Sequence, residues 1–293
     1  MKATIYLIIA TSLWGFNFHF SKLVLREVEF LEGGLWRYIC AVSILVILSF
    51  NKLPSVKVFK ENLKEIVAVG IVIFLFNVLF FWGMKTTSGI NGALIMGINP
   101  TVTLILSHFI LKTPIKRNHI FGISLALFGV LYLLLKGNIS DITSLSFSTG
   151  DLLVLIAISF FALHHVWVKK YSKPTVSNQE FTTMVAIVAL FCFILISPFS
   201  GIPNVSNHSQ SFWIGAIGIG CLGTGISYLF WYKGIQLIGA NKAGVFVNLV
   251  PLSAGLSATF FGEHLNYYHF ISGALIILGL IVMQVTFSKR KNS

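Results

Sequence analysis

Long apolar runs separated by short polar stretches dominate this chain of 293 residues. The hydrocarbon core of a bilayer is roughly 30 Å thick, so a helix needs about 20 apolar residues to cross it. Ten runs of about this length lie at residues 4–23, 33–50, 65–84, 90–111, 118–136, 150–168, 180–199, 211–232, 240–261 and 267–287. The runs are continuously apolar, whereas strands of a membrane β-barrel alternate between apolar and polar residues. The pattern therefore predicts an all-α integral membrane protein with ten transmembrane helices.

The second half of the chain repeats the first. Residues 83–100, GMKTTSGINGALIMGINP, resemble residues 234–251, GIQLIGANKAGVFVNLVP. The matching positions, 151 residues apart, are Gly83 with Gly234, Pro100 with Pro251, and Gly122 with Gly273. Each half holds five runs, an odd number, so the second half begins on the opposite side of the bilayer. We therefore expect two inverted five-helix repeats, at 1–137 and 148–288, an architecture typical of transporters with alternating access.

Charge then orients these helices. The chain is 56% hydrophobic and 10% charged, with a mean hydropathy of +0.86 and a net charge of +12. With the N-terminus placed inside, the inner loops hold 16 of the 21 Lys and Arg residues and the outer loops hold 5. Cytoplasmic loops carry the excess of Lys and Arg, so both termini are predicted to face the cytoplasm of a multi-pass cell-membrane protein. The expected partner of this basic chain is the lipid bilayer, with its anionic headgroups. Nucleic acid is not expected to bind.

Signatures of catalysis and of metal binding are missing from the sequence. It has no H-E-x-x-H, G-x-S-x-G, Walker A or G-x-G-x-x-G motif and no acidic cluster, so we expect no enzyme, no metal and no cofactor. The nine carboxylates all lie in loops or in the first or last turn of a run, away from mid-membrane, where a proton relay would usually place one. The cysteines, which lack C-x-x-C spacing, are interpreted as packing residues: Cys40, Cys192 and Cys221.

Several short motifs resemble one family of membrane proteins. They are S-L-W-G at Ser12 to Gly15, Arg37-Tyr38, the A-L-I-x-x-x-N-P run ending at Pro100, Phe261-Gly262-Glu263, and the I-x-G openings at Gly122 and Gly273. Together they resemble EamA-type members of the drug/metabolite transporter superfamily over nearly the whole chain. The resemblance implies a basket of ten helices in which helices 1, 3, 4, 6, 8 and 9 surround a central cavity. It also implies outward transport of amino acids or related metabolites, which many members of the family carry.

Polar residues inside the apolar runs are the candidates for substrate binding. Amides, phenols, imidazoles and indoles can bind a zwitterion without introducing a buried charge. The predicted substrate-binding residues are Trp14, Asn17, Asn77, Asn99, His164, Tyr228, Trp231 and Asn248. The alternative for each is a hydrogen bond or packing contact between helices. His164 lies beside His165, and these are the deep groups that could titrate near neutral pH.

Three other residues are interpreted as structural. Arg37 near the start of the second run is expected to extend to the headgroups in preference to binding a substrate carboxylate. His19 and His108 lie nearer the ends of their runs, and we favour packing between helices for both. The glycine-rich eighth run is expected to let a neighbouring helix approach closely or to bend.

Pro100 and Pro251, near the middle of runs 4 and 9, are predicted hinges because each removes a backbone hydrogen bond. The favoured function is a secondary carrier or facilitator that moves a small polar metabolite outward, with an amino-acid-like substrate preferred. A membrane protein that binds or senses a ligand without transport is the alternative, and an intramembrane enzyme is third. Facilitated movement is favoured over obligatory proton exchange, and the oligomeric state stays open.

Overall fold

A computed structural model describes residues 2–48, 55–138, 148–171, 176–199, 208–238 and 245–284. The α-helices within these residues are α1 (Lys2–Leu25), α2 (Phe30–Leu48), α3 (Val56–Glu61), α4 (Leu63–Met84), α5 (Gly89–Met96), α6 (Asn99–Leu111), α7 (Arg117–Leu134), α8 (Thr149–Tyr171), α9 (Asn178–Ile196), α10 (Gln210–Ile217), α11 (Ser227–Ile238), α12 (Leu249–Ala258) and α13 (Tyr267–Gln284). A π-helix at Gly218–Ile226 joins α10 to α11, and short 3₁₀ segments lie at Ser197–Phe199, Val245–Asn248 and Thr259–Phe261. The described residues contain no strand, so the predicted all-α class is confirmed for them.

Eight helical stretches are long and apolar enough to cross a membrane. They are α1, α2, α4, α7, α8, most of α9, the combined stretch Gly89–Leu111 and the stretch Gln210–Trp231. Two shorter apolar helices, Leu249–Phe261 and Tyr267–Met283, follow. Large apolar side chains on the outside of the bundle, such as those of Phe109, Leu256 and Phe260, are exposed as lipid-facing residues would be. The chain is thus a multi-pass membrane protein.

Glycines allow the main helix pairs to pack closely. A β-carbon added to Gly122 of α7 would lie 2.4 Å from the carbonyl oxygen of Gly279 in α13. One added to Gly83 of α4 would lie 2.8 Å from the carbonyl oxygen of Gly150 in α8. Membrane helices associate through such small residues because lipid offers no hydrophobic force to drive them together. Helix α1 packs against α10, the π-helix, α11 and α12, and α2 packs against α9 and the π-helix.

The fourth predicted run is interrupted at Gly97 and Ile98, between α5 and α6. We expected Pro100 to remove a hydrogen bond in mid-helix, but it is the second residue of α6. The first backbone N–H groups of a helix have no partner within it, so proline is tolerated there. Pro251 similarly lies in the first turn of α12, after a 3₁₀ segment. Both prolines thus lie in the first turn of a helical segment, and their role as hinges stays a prediction.

Gly97, at the interruption of the fourth run, lies close to Pro251 of the ninth run. A β-carbon on Gly97 would lie 3.4 Å from Cγ of Pro251 and 3.2 Å from Cγ2 of Ile276. The beginning of the ninth predicted run, 240–244, lies outside the described residues, as do 49–50, 285–287 and the predicted connection at 139–147.

The glycine-rich stretch of the eighth run forms the nine-residue π-helix. The Thr224 side-chain hydroxyl donates to the carbonyl of Ile219 at 2.8 Å. In the backbone, the N–H of Ser227 donates to the carbonyl of Leu222, five residues earlier. Such i→i−5 bonds define a π-bulge, a feature often found at functional sites. The sequence predicted a bend or a close helix approach here and did not predict a π-helix.

Glycines of the π-helix contact two neighbouring helices. A β-carbon on Gly218 would lie 2.8 Å from the ring of Phe20 in α1, and one on Gly220 would lie 2.4 Å from Cβ of Cys40 in α2. One on Gly225 would lie 2.2 Å from the side chain of Ile44 in α2. The prediction that these glycines permit close helix approach is therefore confirmed.

The sequence did not predict helix α3. Its six residues begin after Ser55, whose hydroxyl accepts a hydrogen bond from the N–H of Val58 at 3.1 Å. No residue of α3 is buried. The helix is too short to give a periodic apolar pattern, and a cap at its first turn defines its start.

Candidate functional site

A narrow cavity lies between α2, α4, α8, α9 and the π-helix with α11. Its polar lining consists of Arg37, Tyr38, Asn77, His164, Thr182, Thr224 and Tyr228. Its apolar lining includes Leu45, Ile73, Val168, Phe181 and Val185. The cavity measures about 30 Å³, and one water molecule needs ~10–15 Å³ on the same measure. In this conformation it holds a few waters at most, so a metabolite needs the helices to separate further.

The cavity extends towards one end of the bundle. Val168 is three residues from the end of α8, and Phe181 is the fourth residue of α9. At the other extreme Arg37 lies seven residues beyond the start of α2, about 10 Å along the helix axis. The end near Val168, which also carries α3 and Lys57, is called here the Lys57 end. The opposite end, which carries the α1–α2 connection, is called the Glu27 end.

Asn77 of α4 joins Tyr38 of α2 within the lining. Its Nδ2 donates to the Tyr38 hydroxyl at 3.0 Å and to the carbonyl of Ile73 at 2.7 Å. A carbonyl can only accept, so the contact with Ile73 identifies the side-chain nitrogen. The other atom, Oδ1, is buried and has no hydrogen-bond partner in the described structure. Asn77 therefore presents an unused acceptor in the wall of the cavity.

Arg37 lies within the bundle and does not extend to the headgroups. Its side chain is buried, and Nε donates to the hydroxyl of Thr224 at 3.0 Å. The guanidinium carbon lies 5.9 Å from the centre of the Phe80 ring, a distance at which a cation is attracted to an aromatic face. The expectation that Arg37 reaches the headgroups is thus wrong. The π-helix presents the Thr224 hydroxyl as an acceptor within the bundle, and the guanidinium lies against it.

His164 of α8 is buried and lines the cavity, and its Nδ1 has no partner among the described atoms. Its neighbour His165 projects differently, and the Nδ1 atom of His165 lies 3.5 Å from Nδ2 of Asn99 in α6. Asn99 is buried at the interruption between α5 and α6 and does not line the cavity. Of the two neighbouring histidines, His164 is the one that faces the cavity.

Three predicted aromatic residues form one cluster. The rings of Trp14 and Tyr228 lie 5.5 Å apart in an edge-to-face arrangement, and those of Trp14 and Trp231 lie 5.0 Å apart. Tyr228 also lines the cavity, whereas Trp14 and Trp231 lie behind it. Such pairs contribute ~0.5–1.5 kcal/mol beyond their buried area. The cluster joins α1 to α11 beside the cavity.

Asn17 of α1 contacts the π-helix. Its Nδ2 donates to the carbonyl of Gly223 at 3.1 Å, and its Oδ1 is buried with no partner in the described structure. Asn17 does not line the cavity. The backbone of Asn248 belongs to a 3₁₀ segment, but its side chain lies outside the described residues.

Carboxylates join the two halves of the chain at the Glu27 end. Glu263 accepts hydrogen bonds from the N–H groups of Gly89 at 2.8 Å and Ile90 at 3.1 Å, at the start of α5. A negative charge is favourable there because the helix dipole is positive at its N-terminus. Nε2 of His19 is buried without a hydrogen bond and lies 3.9 Å from Oε1 of Glu263, while Nδ1 lies 2.9 Å from the Ser257 hydroxyl. The interhelical role expected for His19 is confirmed by this contact of α1 with α12.

Two further contacts fasten the same end. Asp151 of α8 accepts a hydrogen bond from the Thr87 hydroxyl between α4 and α5. Glu27 accepts hydrogen bonds from the N–H and the hydroxyl of Ser209, which precedes α10. These bonds from Ser209 lower the pKa of Glu27 below its usual value, because they stabilise the ionised carboxylate.

The cavity differs in two ways from the site predicted by sequence. Arg37, Tyr38 and Thr224 line it although they are not among the predicted binding residues. It is also bounded by α2 and α9, whereas the family resemblance implied helices 1, 3, 4, 6, 8 and 9. The Arg37-Tyr38 pair within an apolar run was the available signal for those two residues, and Thr182 and Thr224, which also line the cavity, had none. Among the described residues, no three His, Cys, Asp or Glu side chains are grouped as a metal ion would require.

Comparison with known protein families matches the chain in two segments. The model of the EamA-like transporter family matches residues 1–135 and 148–285. YyaM, an uncharacterized transporter of Bacillus subtilis (strain 168), is 34% identical over 273 residues, which cover 91% of this chain and 88% of YyaM. YetK, another uncharacterized transporter of that organism, is 27% identical over 298 residues, with coverages of 96% and 86%. A protein of known crystal structure shares the fold, with a TM-score of 0.65 over 96% of this chain and 95% of the other at 16% identity.

Proposed function

Because this chain belongs to the EamA-like transporter family, we propose that it is a secondary transporter for a small polar metabolite of the amino-acid type. The observation that carries the proposal is the cavity, which is enclosed by helices from both halves of the chain and lined by polar side chains. Ligand sites typically combine an apolar wall with a few convergent polar groups. Movement is proposed to be outward, as the family resemblance implies. It is proposed to run down the substrate gradient, since no described carboxylate lines the cavity to couple it to protons.

Two inverted five-helix repeats forming ten transmembrane helices are part of this proposal. The helix contacts support it, because they occur in matching pairs. Helix α4 of the first half packs on α8 of the second half, and its counterpart α11 packs on α1. Likewise α4 packs on α9, and the π-helix, which precedes α11, packs on α2. Exchange of the halves turns each contact of a pair into the other.

Individual residues support the same symmetry. A β-carbon on Gly83 would lie 2.9 Å from Val154 of α8, and one on Gly234 would lie 2.5 Å from Leu7 of α1. Leu7 and Val154 are 147 positions apart, as are Asn17 and His164. One alignment of α1 with α8 thus accounts for both relationships.

The described conformation is proposed to be one of two that alternate during transport. Contacts of Glu263 with α5, of Asp151 with Thr87 and of Glu27 with Ser209 join the halves at the Glu27 end. The cavity instead reaches towards Val168 and Phe181 at the Lys57 end. With both termini cytoplasmic in a cell membrane, this is an inward-directed cavity closed to the outside. Opening at the Glu27 end requires those inter-half contacts to break.

Counterflow in proteoliposomes tests the proposal. Purified protein is reconstituted into vesicles preloaded with single amino acids or related polar metabolites, and uptake of the same labelled compound is measured. Accumulation above that of protein-free vesicles is expected for at least one compound. Binding without counterflow for every compound that binds would instead favour the alternative, a membrane protein that binds or senses a ligand without moving it.

A further inference from the structure

Arg37 places a positive charge inside the bundle, and no carboxylate of the residues that the structure describes is paired with it. Its exposed fraction is 6%, its Nε donates to the Thr224 hydroxyl, and its guanidinium lies near the Phe80 ring. Among the described residues no carboxylate forms an ion pair with it, and none lines the cavity. Removing a cation from water is strongly unfavourable unless an anion and hydrogen bonds compensate it. A bound anion in the cavity would supply that compensation.

A guanidinium matches the chemistry of a carboxylate. Its planar arrangement of N–H donors fits the two oxygens of a carboxylate, and charge-assisted bonds of this kind are stronger than neutral ones. The contact with Thr224 uses Nε, which holds the guanidinium in a fixed orientation beside the cavity. Thr224 is itself fixed, because its hydroxyl donates to the carbonyl of Ile219 at 2.8 Å.

Asn77 adds a second requirement. Its Oδ1 is buried without a partner, and the contacts of its Nδ2 with Tyr38 and Ile73 fix the orientation of the amide. A buried acceptor left without a donor is unfavourable. A ligand that carries an ammonium or hydroxyl group near its carboxylate supplies the donor.

We propose that Arg37 and Asn77 form a carboxylate-recognition site, in which Arg37 binds the carboxylate of the substrate and Asn77 Oδ1 accepts from an adjacent ammonium or hydroxyl group. This assignment of a substrate class rests on the proposed transport function. The substrate is accordingly a small 2-amino or 2-hydroxy acid, and an amine or amide without a carboxylate is excluded. Thr224 is a positioning residue, since it acts by orienting Arg37.

Equilibrium binding to the full-length protein in nanodiscs tests the site. The probes are alanine, lactate, propionate and alaninamide, together with the leucine analogues of each. At least one acid is expected to bind about tenfold or more tightly than its carboxamide, because the carboxamide cannot form a charge-assisted pair with Arg37. Lactate is expected to bind more tightly than propionate, which has no donor for Asn77. Comparison of alanine with lactate identifies the preferred donor.

Variants assign these preferences to individual residues. In Arg37→Gln, the affinities for the acid and for its carboxamide are expected to lie within about twofold of each other. Arg26→Gln is the control: it removes the same charge from an exposed position and is expected to keep the full preference for the acid. Asn77→Leu is expected to remove the preference for lactate over propionate while keeping that for acids over carboxamides. If Arg37→Gln does not fold, Thr224→Val supplies the test, since a loosened guanidinium weakens the preference for acids.

Two results would overturn the site. One is that the wild type binds acids and carboxamides equally, or binds neither. The other is that folded Arg37→Gln keeps the full preference for acids over carboxamides. Counterflow with the same probes separates this inference from the proposed function. Acids that bind selectively without counterflow leave the site in place and refute transport. Counterflow of carboxamides as efficient as that of acids refutes the site and leaves transport in place.

Discussion

Asn17 of α1 occupies the space that a side chain at position 223 would need. A β-carbon added to Gly223 would lie 1.5 Å from Oδ1 of Asn17, far inside any real contact. The carbonyl of Gly223 accepts one hydrogen bond from Asn17 at 3.1 Å and another from Ser227 at 2.7 Å. The missing side chain therefore allows α1 to hydrogen-bond directly to the backbone of the π-helix.

Gly223→Ala is expected to destabilise the protein by about 1–3 kcal/mol, because Asn17 must move and lose its bond. Gly255→Ala is the matched control, since a β-carbon there would meet nothing within 4 Å. Alanine favours a helix over glycine, so the control is expected to melt at or slightly above the wild-type temperature. Thermal unfolding of the purified variants in one detergent measures both. A Gly223→Ala protein as stable as the control would disprove the close contact.

Glu263→Gln is expected to lower stability by about 1 kcal/mol at low salt. The substitution removes the charge that binds the N–H groups of Gly89 and Ile90 and that faces His19. Glu61→Gln is the control, because Glu61 pairs with Lys57 at 4.0 Å on the exposed surface of α3, where such pairs contribute a few tenths of a kcal/mol. Melting temperatures are compared at low and high salt. Equal effects of the two substitutions would contradict a special role for Glu263.

The Glu27–Ser209 contact predicts a pH-dependent stability. Hydrogen bonds from Ser209 lower the pKa of Glu27 in the folded protein, so the contact stabilises the fold above the unfolded value of about 4.3. The stabilisation is lost as the pH falls through the lower, folded pKa. Ser209→Ala is therefore expected to lower the melting temperature by roughly 2–4 °C at pH 7, and by less at pH 3.

Ser55→Ala is the control for this pH series, because Ser55 also begins a helix and its recorded contact is to a backbone N–H. Its effect on melting is expected to be the same at both pH values. A Ser209→Ala effect that stays constant between pH 7 and pH 3 would show that the pKa of Glu27 does not depend on Ser209.

Pro100→Ala is expected to impair transport more than folding. In a continuous helix, the ring of a proline clashes with the carbonyl of the residue four positions earlier, here Met96. Alanine would let α5 and α6 join across Gly97 and Ile98, and so stiffen a segment that is proposed to bend. Counterflow should fall several-fold while the melting temperature changes little. Pro114→Ala, in the exposed connection to α7, is the control, and equal flux in both variants would remove Pro100 from the mechanism.

The proposed topology places Glu29 outside the cell and Lys57 inside. Both side chains are exposed, at 64% and 85%, so a cysteine at either position is accessible to a reagent on its own side. In a background without native cysteines, Glu29→Cys should react with a membrane-impermeant maleimide in intact cells. Lys57→Cys should react after the cells are broken. The reverse pattern would invert the orientation of the whole bundle.

Part of the candidate site could be predicted because it follows from the internal repeat. Asn77 and Tyr228 are 151 positions apart, and His164 is the counterpart of Asn17 at the separation of 147 positions that relates α8 to α1. Asn77, His164 and Tyr228 all line the cavity. A polar residue in an apolar run is costly in lipid, so a protein-facing position for each was the natural interpretation.

Arg37 shows why the remainder could not be predicted. A cation seven residues from a helix end can extend to the headgroups or be buried, and local sequence favours neither strongly. The outcome depends on Thr224, which lies 187 positions away and has a hydroxyl presented by the π-helix. A π-helix in turn depends on contacts with α1 and α2, and those contacts have no signature in a hydropathy pattern.

The π-helix at Gly218–Ile226 also sets the direction in which the side chains of α11 project. A π-bulge accommodates an extra residue within an otherwise regular helix, and each residue turns an α-helix by about 100°. Loss of one glycine from this segment, with relaxation to a plain α-helix, would rotate Tyr228 and Trp231 away from Trp14. The bulge therefore rotates α11 relative to α10. As a result, α10 faces α1 and α2 at the Glu27 end, while Tyr228 of α11 still lines the cavity.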